Sequence, residues 1–397
     1  MSASESINSL QVVDTFFPVI DGVVQTVHNY AEIMNKQSYS SVLCPAAKGG
    51  YDDSVFSYDV IRAAALRFPF SDYSVSWPQN ASCSAKVLKH CRDHGINIMH
   101  FHSPFTQRTS ALKAAKTLDI PIVATFHSKY YDDIYQVTHL KPLAQCVTDS
   151  IVSFYDHCDS VWACSYGTAE TLRSYGYKGE ITVMENGTNI TMPENPELLK
   201  AEAVRRFAID GTKNNLLFVG TQVWQKNMRL VLDTFRLICD RSPDFRLLVV
   251  GSGGDERAIT AYAEKLGLKE PQVKFAGRIS DRELISGVFL ASDLLFFPSV
   301  YDNAPLVLRE AAILETPALL VKGSNSAEII NPDVNGFIAE DNAEAMAGKI
   351  LQIFENREML KAAALKARAT IPVPWEDIIP HVYAKYAEVI ERKKSRR

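Results

Sequence analysis

Two carboxylates, Asp302 and Glu310, stand eight residues apart in a segment whose pattern predicts a buried strand, a polar loop and a helix. The helix is expected to begin near Pro305, because proline suits the first helical position, where its missing N–H would have no partner. Backbone amides and the helix dipole favour an anion at such a helix start. Carboxylates repel phosphate but accept hydrogen bonds from sugar hydroxyls. This combination is typical of a site that holds a nucleotide sugar.

The segment resembles the carboxylate-seven-residues-carboxylate motif of retaining family-four glycosyltransferases, which bind a nucleoside-diphosphate sugar in a two-domain GT-B fold. The spacing fits, although the family usually has Glu where this chain has the shorter Asp302. The resemblance implies that Glu310 holds ribose hydroxyls and that Asp302 holds a hydroxyl of the donor sugar. The diphosphate would then lie against the residues around the helix start, which are Asn303, Ala304, Pro305 and Leu306.

Two cations are expected near the diphosphate, whose leaving-group charge is the main electrostatic need of such a reaction. The family usually has Gly-Arg-Leu, three residues and then Lys, whereas this chain has Gly220-Thr221-Gln222 and then Lys226. The lysine aligns, and Thr221 replaces the arginine. Arg278, which also follows a strand candidate, is the candidate substitute. A solvated lysine at the start of a helix is the alternative interpretation of Lys226.

Length and composition exclude several protein classes. A chain of 397 residues is too long for one ordinary core and predicts two domains. With 47% hydrophobic and 22% charged residues it has the composition of a soluble globular protein, and the formal net charge of −4 gives no reason to expect nucleic-acid binding. No apolar run approaches the roughly 18 residues of a membrane-spanning helix, no signal segment or CxxC pair occurs, and the seven cysteines are scattered. We therefore expect a cytoplasmic protein with reduced thiols.

Strand candidates alternate with helical patterns along the whole chain, as in parallel α/β sheets. The polar segment 189–214 is expected to be a linker with a short helix between the two halves. The resemblance implies an α/β GT-B fold, with two Rossmann-like domains facing each other across a cleft. Residues 1–190 plus 372–397 would form the acceptor-side domain, and residues 191–371 the nucleotide-sugar domain.

The last helix is predicted over Trp375–Ile390 from its amphipathic pattern. In GT-B proteins this helix crosses back onto the first domain, and we expect the same here. Periodicity alone fits a final helix on the second domain almost as well.

Ligands of open parallel sheets bind beyond the carboxyl ends of the strands, so the loops after the strand candidates are expected to face the cleft. Gly22 ends the first such loop and lets backbone approach a ligand closely. It resembles the glycine that faces the donor diphosphate and sugar in the family, and a plain strand-to-helix turn is the alternative. The run Gly251-Ser252-Gly253-Gly254 lacks the spacing of a dinucleotide fingerprint and predicts a tight turn rather than an NAD site.

Three histidines lie in or directly after strand candidates of the first half. His100 and His102 share one face of a strand, and because no Asp, Glu or Cys nearby completes a metal set, we favour a structural or acceptor-side role. The segment of His127 resembles the family element whose histidine sits near the anomeric carbon and orients the donor sugar. A structural strand-end histidine is the alternative. The aromatic residues that follow, Tyr130 and Tyr131, resemble the acceptor-side segment of members that glycosylate glycolipids.

Together these motifs predict an enzyme that moves a hexose from a nucleoside-diphosphate sugar, by preference a UDP-sugar, to a hydroxyl acceptor with retention. His127, Asp302 and Lys226 are the catalytic candidates. No lone carboxylate stands out as a nucleophile, so the family's same-face displacement is expected, in which a donor phosphate oxygen takes the acceptor proton. No Asp-x-Asp metal motif occurs, and neither a metal nor another cofactor is expected.

Two other classes stay open: a nucleotide-sugar epimerase of the same fold, and a catalytically weak sugar-nucleotide-binding protein, which Thr221 and the short Asp302 would favour. The basic tail 392–397 and the aromatic segment 130–135 leave open a peripheral contact with anionic lipid at the inner membrane face. The base, the sugar and the acceptor depend on pocket shape, which motifs do not determine.

Overall fold

The computed structural model describes residues 6–67, 74–76 and 81–396, and the chain divides into two compact units. The first unit comprises Met1–Gly187 together with Pro374–Arg397, and the second comprises Thr188–Val373. The sequence pattern placed the breaks after residue 190 and before residue 372.

The first unit contains a seven-stranded parallel sheet in the order β3-β2-β1-β6-β7-β8-β9, and a two-stranded antiparallel ladder of β4 and β5. Its central strands are buried along their whole length, as expected where helices cover both faces of a sheet. The strands are β1 (Ser9–Val12), β2 (Ser40–Pro45), β3 (Asp59–Ala63), β4 (Ala65–Arg67), β5 (Ser74–Ser76), β6 (Ile98–Phe101), β7 (Ile122–Phe126), β8 (Ser160–Ala163) and β9 (Ile181–Val183).

The second unit contains a six-stranded parallel sheet in the order β12-β11-β10-β13-β14-β15. Its strand order reverses direction between β10 and β13, which is the kind of switch point where open α/β sheets bind ligands. The strands are β10 (Asn214–Val219), β11 (Phe245–Val250), β12 (Val273–Gly277), β13 (Leu294–Phe296), β14 (Ala318–Val321) and β15 (Phe337–Ala339).

Helices connect the strands of both sheets. They are α1 (Gly22–Met34), α2 (Ala81–Asp93), α3 (Arg108–Leu118), α4 (Tyr130–Thr138), α5 (Lys141–Tyr155), α6 (Tyr166–Ser174), α7 (Pro196–Phe207), α8 (Met228–Arg241), α9 (Glu256–Lys265), α10 (Arg282–Leu290), α11 (Leu306–Ile313), α12 (Ala343–Glu355), α13 (Arg357–Thr370) and α14 (Trp375–Lys394). Within the described ranges, none of these helices combines the length and the apolar character that crossing a membrane requires.

The segment expected to be a linker with a short helix contains that helix, α7, which is packed into the second unit. Its helix α7 packs against α10 so closely that a Cβ on Gly287 would lie 2.2 Å from the backbone oxygen of Leu199. Ala203 and Phe207 of the same helix are buried in the core. The polar composition of the segment therefore marks the outer face of a packed helix.

The last helix, α14, packs on the first unit, as the resemblance implied. The Tyr386 hydroxyl lies 2.6 Å from Nδ1 of His100, and the Tyr383 hydroxyl donates to the backbone oxygen of Met34 at 3.1 Å. The indole of Trp375 is buried with its ring centroid 5.6 Å from that of Tyr30. Acidic residues in the first turn and basic residues in the last turn complement the helix dipole.

Candidate functional site

The loop 298–305 connects β13 to α11 and carries the first acid of the sequence motif. Leu306 is the first helical residue, and Pro305 is the N-cap with an extended ψ of 126°, so the helix begins one residue later than the proline rule suggested. Asn303 and Ala304 lie just ahead of that cap. Leu308 N donates to the backbone oxygen of Pro305 at 3.3 Å, and helix geometry gives the amide before it no intrahelical acceptor, so this helix start is a potential anion site at this edge of the sheet.

Lys226 and Asp302 form an ion pair that joins two loops of the second unit. The side chains are only 16% and 14% exposed, so Lys226 is not a solvated lysine. Nor does Lys226 open α8, as the alternative interpretation supposed: it ends a 3-10 turn, Trp224–Lys226, and a left-handed residue, Asn227, follows it. The ammonium also lies 5.6 Å from the ring centroid of Tyr301.

The second carboxylate oxygen of Asp302, Oδ2, is buried and has no hydrogen-bond partner among the described residues. A buried acceptor without a partner costs free energy, on the order of 1–3 kcal/mol, and such atoms are rare in folded proteins. One oxygen of Asp302 is therefore neutralised by Lys226, while the other is an acceptor that a ligand hydroxyl can satisfy.

The loop 298–305 is fixed by polar side chains that the sequence motifs did not identify. Asn325 donates from Nδ2 to Oδ1 of Asn303 at 2.8 Å, and Ser326 donates from its hydroxyl to the backbone oxygen of Asp302 at 3.1 Å. Asn227 donates from Nδ2 to the backbone oxygen of Pro298 at 3.1 Å. Asn325 and Ser326 follow β14, so the rule that sites lie after strands could have found them.

Glu310, the second acid, has a different cationic partner. Its Oε1 lies 3.4 Å from Nη1 of Arg282, the first residue of α10. Burial raises the pKa of Glu310, and Arg282 opposes that shift. Its side chain remains 24% exposed, so it is accessible to a ligand. Sequence reasoning missed Arg282 because it opens a helix and does not follow a strand directly.

Arg278, the candidate second cation, follows β12 after Gly277, which adopts a left-handed φ of 67°. The arginine is exposed and pairs with neither Asp302 nor Glu310. Thr221, at the position where the family has arginine, is also exposed. Of Lys226, Arg278 and Thr221, only Lys226 contacts Asp302.

The glycine run after β11 is explained by contact between two loops. A Cβ on Gly251, which has a left-handed φ of 130°, would lie 1.9 Å from the backbone oxygen of Gly220, and a Cβ on Gly253 would lie 2.4 Å from that of Gln222. Gln222, which the motifs did not single out, is fully buried and donates from Nε2 to the backbone oxygen of Gly251 at 2.6 Å. The predicted tight turn is confirmed, and its glycines serve packing between backbones.

In the first unit, Gln11, His102 and His127 form a chain of hydrogen bonds, called the histidine group below. Oε1 of Gln11 lies 2.9 Å from Nε2 of His102, and Nδ1 of His102 lies 3.1 Å from Nε2 of His127. Burial lowers the pKa of His102 well below its usual range and that of His127 to about 4. Both imidazoles are therefore neutral at physiological pH.

His100 has a structural role. It is fully buried, and its two ring nitrogens lie 2.6 Å from the hydroxyls of Thr125 and Tyr386, which ties α14 to the sheet. The ring of His102 stacks on the ring of His127, with the centroids 5.3 Å apart. The two histidines that share a strand face thus differ in role.

Gly22 is the first residue of α1, and Asp21 caps that helix by accepting a hydrogen bond from Val24 N at 2.8 Å. A Cβ placed on Gly22 would meet no atom within 4 Å, so the packing of the chain itself does not require glycine there. The space beside this helix start can therefore admit a ligand.

Asp14, which follows β1, was missed by the motif analysis. Its carboxylate accepts hydrogen bonds from the backbone amides of Phe105, Thr106 and Gln107 at 2.8–2.9 Å, just ahead of α3. Burial nevertheless raises the pKa of Asp14. The residue fixes the loop after β6, and its position directly after a buried strand was the available signal.

The expected acceptor role of Tyr130 needs correction. The residue is buried, and its ring packs edge-on against Phe105 and Phe126 with centroid distances of 5.2 and 5.5 Å. It is therefore a core residue at the start of α4. Tyr131 is partly exposed and stacks on Tyr135 at 6.4 Å, so of the two tyrosines it is the one with an accessible face.

Among the described residues, one group has the spacing of a metal site: Asp59, His90 and His94. Nε2 of His90 already lies 3.0 Å from the hydroxyl of Ser41, and the Tyr39 hydroxyl donates to Asp59. Asp59 opens β3, so the group lies at the amino ends of the strands, whereas His102 and His127 follow the carboxyl ends. It is separate from the histidine group.

Two family models match the chain in tandem. The model described as Glycosyltransferase Family 4 matches residues 20–191, and the model described as Glycosyl transferases group 1 matches residues 200–370. Between them they cover most of the chain, one in each half.

Curated relatives match over much of the chain at low identity. A GDP-mannose-dependent alpha-mannosyltransferase of Corynebacterium glutamicum is 23% identical over 389 residues, which cover 96% of this chain and 88% of that protein. An alpha-monoglucosyldiacylglycerol synthase of Streptococcus pneumoniae is 22% identical over 314 residues, which cover 77% and 69%.

Solved structures share the fold. The Anabaena protein Alr3699/HepE, solved in complex with UDP and glucose, superposes with a TM-score of 0.76 at 17% identity, covering 96% of this chain and 99% of that one. Sucrose-phosphate synthase from Thermosynechococcus elongatus superposes with a TM-score of 0.74 at 18% identity, covering 97% and 100%. The chain therefore belongs to the family-four type of glycosyltransferases, nucleotide-sugar-dependent enzymes with the GT-B fold, and has glycolipid-forming relatives.

Proposed function

We propose that this enzyme transfers a hexose from a nucleoside-diphosphate sugar to a hydroxyl acceptor with retention at the anomeric carbon. The observation that carries the proposal is the unpartnered Oδ2 of Asp302 beside the Lys226 ion pair, immediately before the start of α11. A buried carboxylate oxygen that lacks a donor, a cation and a helix start together provide for a sugar hydroxyl and a diphosphate.

Lys226 has the central electrostatic role. In the absence of donor its ammonium neutralises Asp302. A diphosphate carries more charge than one carboxylate and attracts the ammonium more strongly, so donor binding would draw Lys226 toward the leaving group. Oδ2 of Asp302 would accept from a hydroxyl of the sugar, and Arg278, exposed after β12, would be the second and weaker cation.

The nucleotide would lie along α11. The amides of Asn303, Ala304 and Leu306 would face the diphosphate beside Pro305, which has no N–H, and Glu310 would accept from the ribose hydroxyls. The Arg282 guanidinium opposes the effect of burial on the pKa of Glu310 and so favours the carboxylate form that accepts hydrogen bonds. Gly22, with open space where a Cβ would be, is the proposed contact of α1 with the donor.

The chemical step is a same-face displacement. The acceptor oxygen forms a bond to the anomeric carbon while the bond between that carbon and the diphosphate breaks, and a phosphate oxygen takes the acceptor proton. Lys226 stabilises the charge that develops on the departing phosphate. His127, neutral because burial lowers its pKa to about 4, would orient the donor sugar by hydrogen bonding and not by carrying charge. No step calls on a metal.

A UDP-sugar is the preferred donor in this proposal. The support is that Alr3699/HepE was solved with UDP and glucose, while the corynebacterial relative is named for GDP-mannose, which makes GDP-mannose the competing donor. A thermal-shift screen of UDP, GDP and their sugars separates the two, because a ligand at a hundredfold its dissociation constant stabilises the folded state by about 2.7 kcal/mol.

We propose a lipid-linked acceptor, by analogy with the glucosyldiacylglycerol synthase relative. Large apolar side chains are exposed at the junction of α4 and α5, with Val137 76% and Leu140 57% exposed. In the basic tail, Lys393 already forms an ion pair with Asp159, with its Nζ 3.4 Å from Oδ2. The α4–α5 junction is therefore the surface expected to meet a membrane.

Co-sedimentation with vesicles tests the membrane contact. The Val137→Asp, Leu140→Asp double variant should lose binding to vesicles containing anionic lipid, while the matched pair Val55→Asp and Leu365→Asp, also exposed in the first and second unit, should retain it. Equal recovery of wild-type protein with and without vesicles would reject the contact.

The main test replaces Asp302 by Asn. This change keeps the size of the side chain but removes the charge that holds Lys226, so UDP should still bind while the extra affinity of UDP-sugar over UDP falls by about tenfold, the value of one charge-assisted hydrogen bond. Isothermal titration with UDP and UDP-glucose measures both. An unchanged preference would reject the sugar-binding role of Asp302.

Product analysis then tests the reaction class. Incubation with a donor and a glycolipid acceptor should give a product whose anomeric proton coupling in NMR matches the donor configuration. Inversion would reject the retaining mechanism. An epimerised donor formed without acceptor would identify an epimerase instead.

A further inference from the structure

Three adjacent strands of the first unit place one polar side chain each in a row. Gln11 lies in β1, His102 directly follows β6, and His127 directly follows β7. Since β6 pairs with both β1 and β7, the three side chains are neighbours across the sheet. Their contacts, at 2.9 and 3.1 Å, are both within hydrogen-bond distance.

The direction of the first hydrogen bond is set by the amide of Gln11. Its Nε2 donates to the hydroxyl of Ser9 at 3.1 Å and lies 3.9 Å from Sδ of Met34, which offers only an acceptor. Its Oε1 therefore faces His102. An amide oxygen can only accept, so Nε2 of His102 carries the proton.

The direction of the second hydrogen bond follows from the first. A neutral imidazole has one N–H, so a proton on Nε2 of His102 leaves Nδ1 as an acceptor. Nε2 of His127, which faces that Nδ1, must then donate. Burial of both rings keeps them neutral, since it lowers the pKa of each. The order of donors and acceptors is thus fixed from Gln11 outward.

We propose that Gln11 and His102 are positioning residues that set the tautomer and the ring orientation of His127, so that Nδ1 of His127 is its accepting nitrogen. Nδ1 then accepts a hydrogen bond from a hydroxyl of the donor sugar. The sugar-facing part of this inference rests on the proposed function. The tautomer part rests only on the contacts of Gln11 and His102.

The neighbouring His100 provides an internal comparison. Its partners are the hydroxyls of Thr125 and Tyr386, and each hydroxyl can donate or accept. Nothing in those contacts dictates a tautomer. His100, which lies in β6 and is as fully buried as His102, therefore has two contacts that do not by themselves assign its proton, unlike the contact of His102 with the Gln11 amide oxygen.

Nitrogen NMR of protein labelled with 15N-histidine tests the tautomers directly. We expect both His102 and His127 to carry a single proton on Nε2, with assignments from His102→Asn and His127→Gln variants. Gln11→Leu should leave His102 as a mixture of tautomers. Thr125→Val, which removes a hydroxyl from His100 at nearly the same volume, should leave the His127 signals unchanged. A proton on Nδ1 of His102 or His127 in the wild-type protein would overturn the inference.

Kinetics test the positioning role. His102→Asn presents an amide oxygen near the place of Nδ1 and keeps an acceptor for His127, whereas His102→Leu removes it. We expect kcat to fall about tenfold in His102→Leu and Gln11→Leu, equivalent to one neutral hydrogen bond, with little change in the KM for donor and substantial recovery in His102→Asn. Equal losses in the Leu and Asn variants, with melting temperatures near wild type, would make His102 a packing residue and overturn the role.

The outcomes separate this inference from the proposed function. Expected tautomers in a protein that turns over no donor would defeat the proposed function and, with it, the sugar-facing role of His127. If the protein turns over donor normally but its histidine tautomers differ from those expected, the tautomer assignments are wrong and the proposed function stands.

Discussion

The histidine group of the first unit and the Lys226–Asp302 pair of the second keep polar side chains inside the protein in opposite ways. In the histidine group, burial lowers the pKa values and leaves neutral rings joined by directed hydrogen bonds. In the second unit, charge is kept and opposed by a countercharge, while one acceptor oxygen stays without a partner. Neutral, directed groups suit the orientation of a hydroxyl, and retained charge suits a diphosphate.

Loss of Lys226 should have the largest effect on catalysis. Lys226 is the cation proposed both to pair with Asp302, which would hold the donor sugar, and to stabilise the departing diphosphate. We expect Lys226→Ala to lower kcat/KM by about a hundredfold to a thousandfold, the range seen when one transition-state electrostatic contact is removed. Steady-state kinetics with UDP-glucose measures this. The matched control is Lys322→Ala, an exposed lysine paired with Glu340, which should stay within twofold of wild type. A fall in kcat/KM of less than threefold in Lys226→Ala would contradict the proposal that the Lys226 charge stabilises the diphosphate.

Glu310 tests whether the second unit recognises hydroxyls as well as phosphate. Glu310→Ala should weaken UDP binding by about tenfold and should weaken 2′-deoxy-UDP less, because a ribose hydroxyl would lose its acceptor. Titration calorimetry with both nucleotides measures the difference. Glu315→Ala, which removes an acid paired with Arg368 instead, is the control. An equal loss for both nucleotides would place Glu310 away from the 2′ hydroxyl.

The neutral histidines predict a dependence of stability on pH. The pKa of His127 is about 4 in the folded protein and near 6.5 when unfolded, so the unfolded chain binds more protons between these values. The free energy of unfolding should therefore fall as pH falls from 6.5 toward 4, and this contribution is fully present above 6.5. His90, His100 and His102, whose pKa values are also lowered, act in the same direction.

Melting curves between pH 7.5 and 5 check this dependence. The difference between wild type and His127→Gln isolates the contribution of His127, which should shrink as pH falls. His139→Gln, at a less buried position at the end of α4, serves as the control. A difference that stays constant across this range would mean that His127 titrates alike in both states.

Arg278 should give the smallest effect. It is exposed and pairs with neither acid, and interactions of exposed charges are screened by water and salt. We expect Arg278→Ala to weaken donor binding by only about twofold at physiological salt, and slightly more at low salt. A loss as large as that of Lys226→Ala would show that Arg278 replaces the arginine missing at Thr221.

The sequence pattern by itself determined the α/β class and the local identity of most motif residues. The return of the last helix to the first unit was implied by the family resemblance, because periodicity alone fitted either unit. Alternating periodicity dictates which segments become strands or helices, and parallel strands place their carboxyl ends at one edge. The family resemblance of the segments after these strands then allowed Asp302, Lys226 and His127 to be selected. Local rules also gave the tight glycine turn, although its purpose, contact with Gly220 and Gln222, involves residues about thirty positions away.

Only the tertiary structure decided which side chains meet. The pairing of Lys226 with Asp302, of Arg282 with Glu310 and of His102 with Gln11 joins residues far apart in the chain, and no local pattern encodes such distances. Burial could not be predicted from the local sequence either. Tyr130 was expected to contact the acceptor, yet its ring lies in the core against Phe105 and Phe126. Protonation and free hydrogen-bonding capacity depend on burial and on partners, and both are properties of the packed fold.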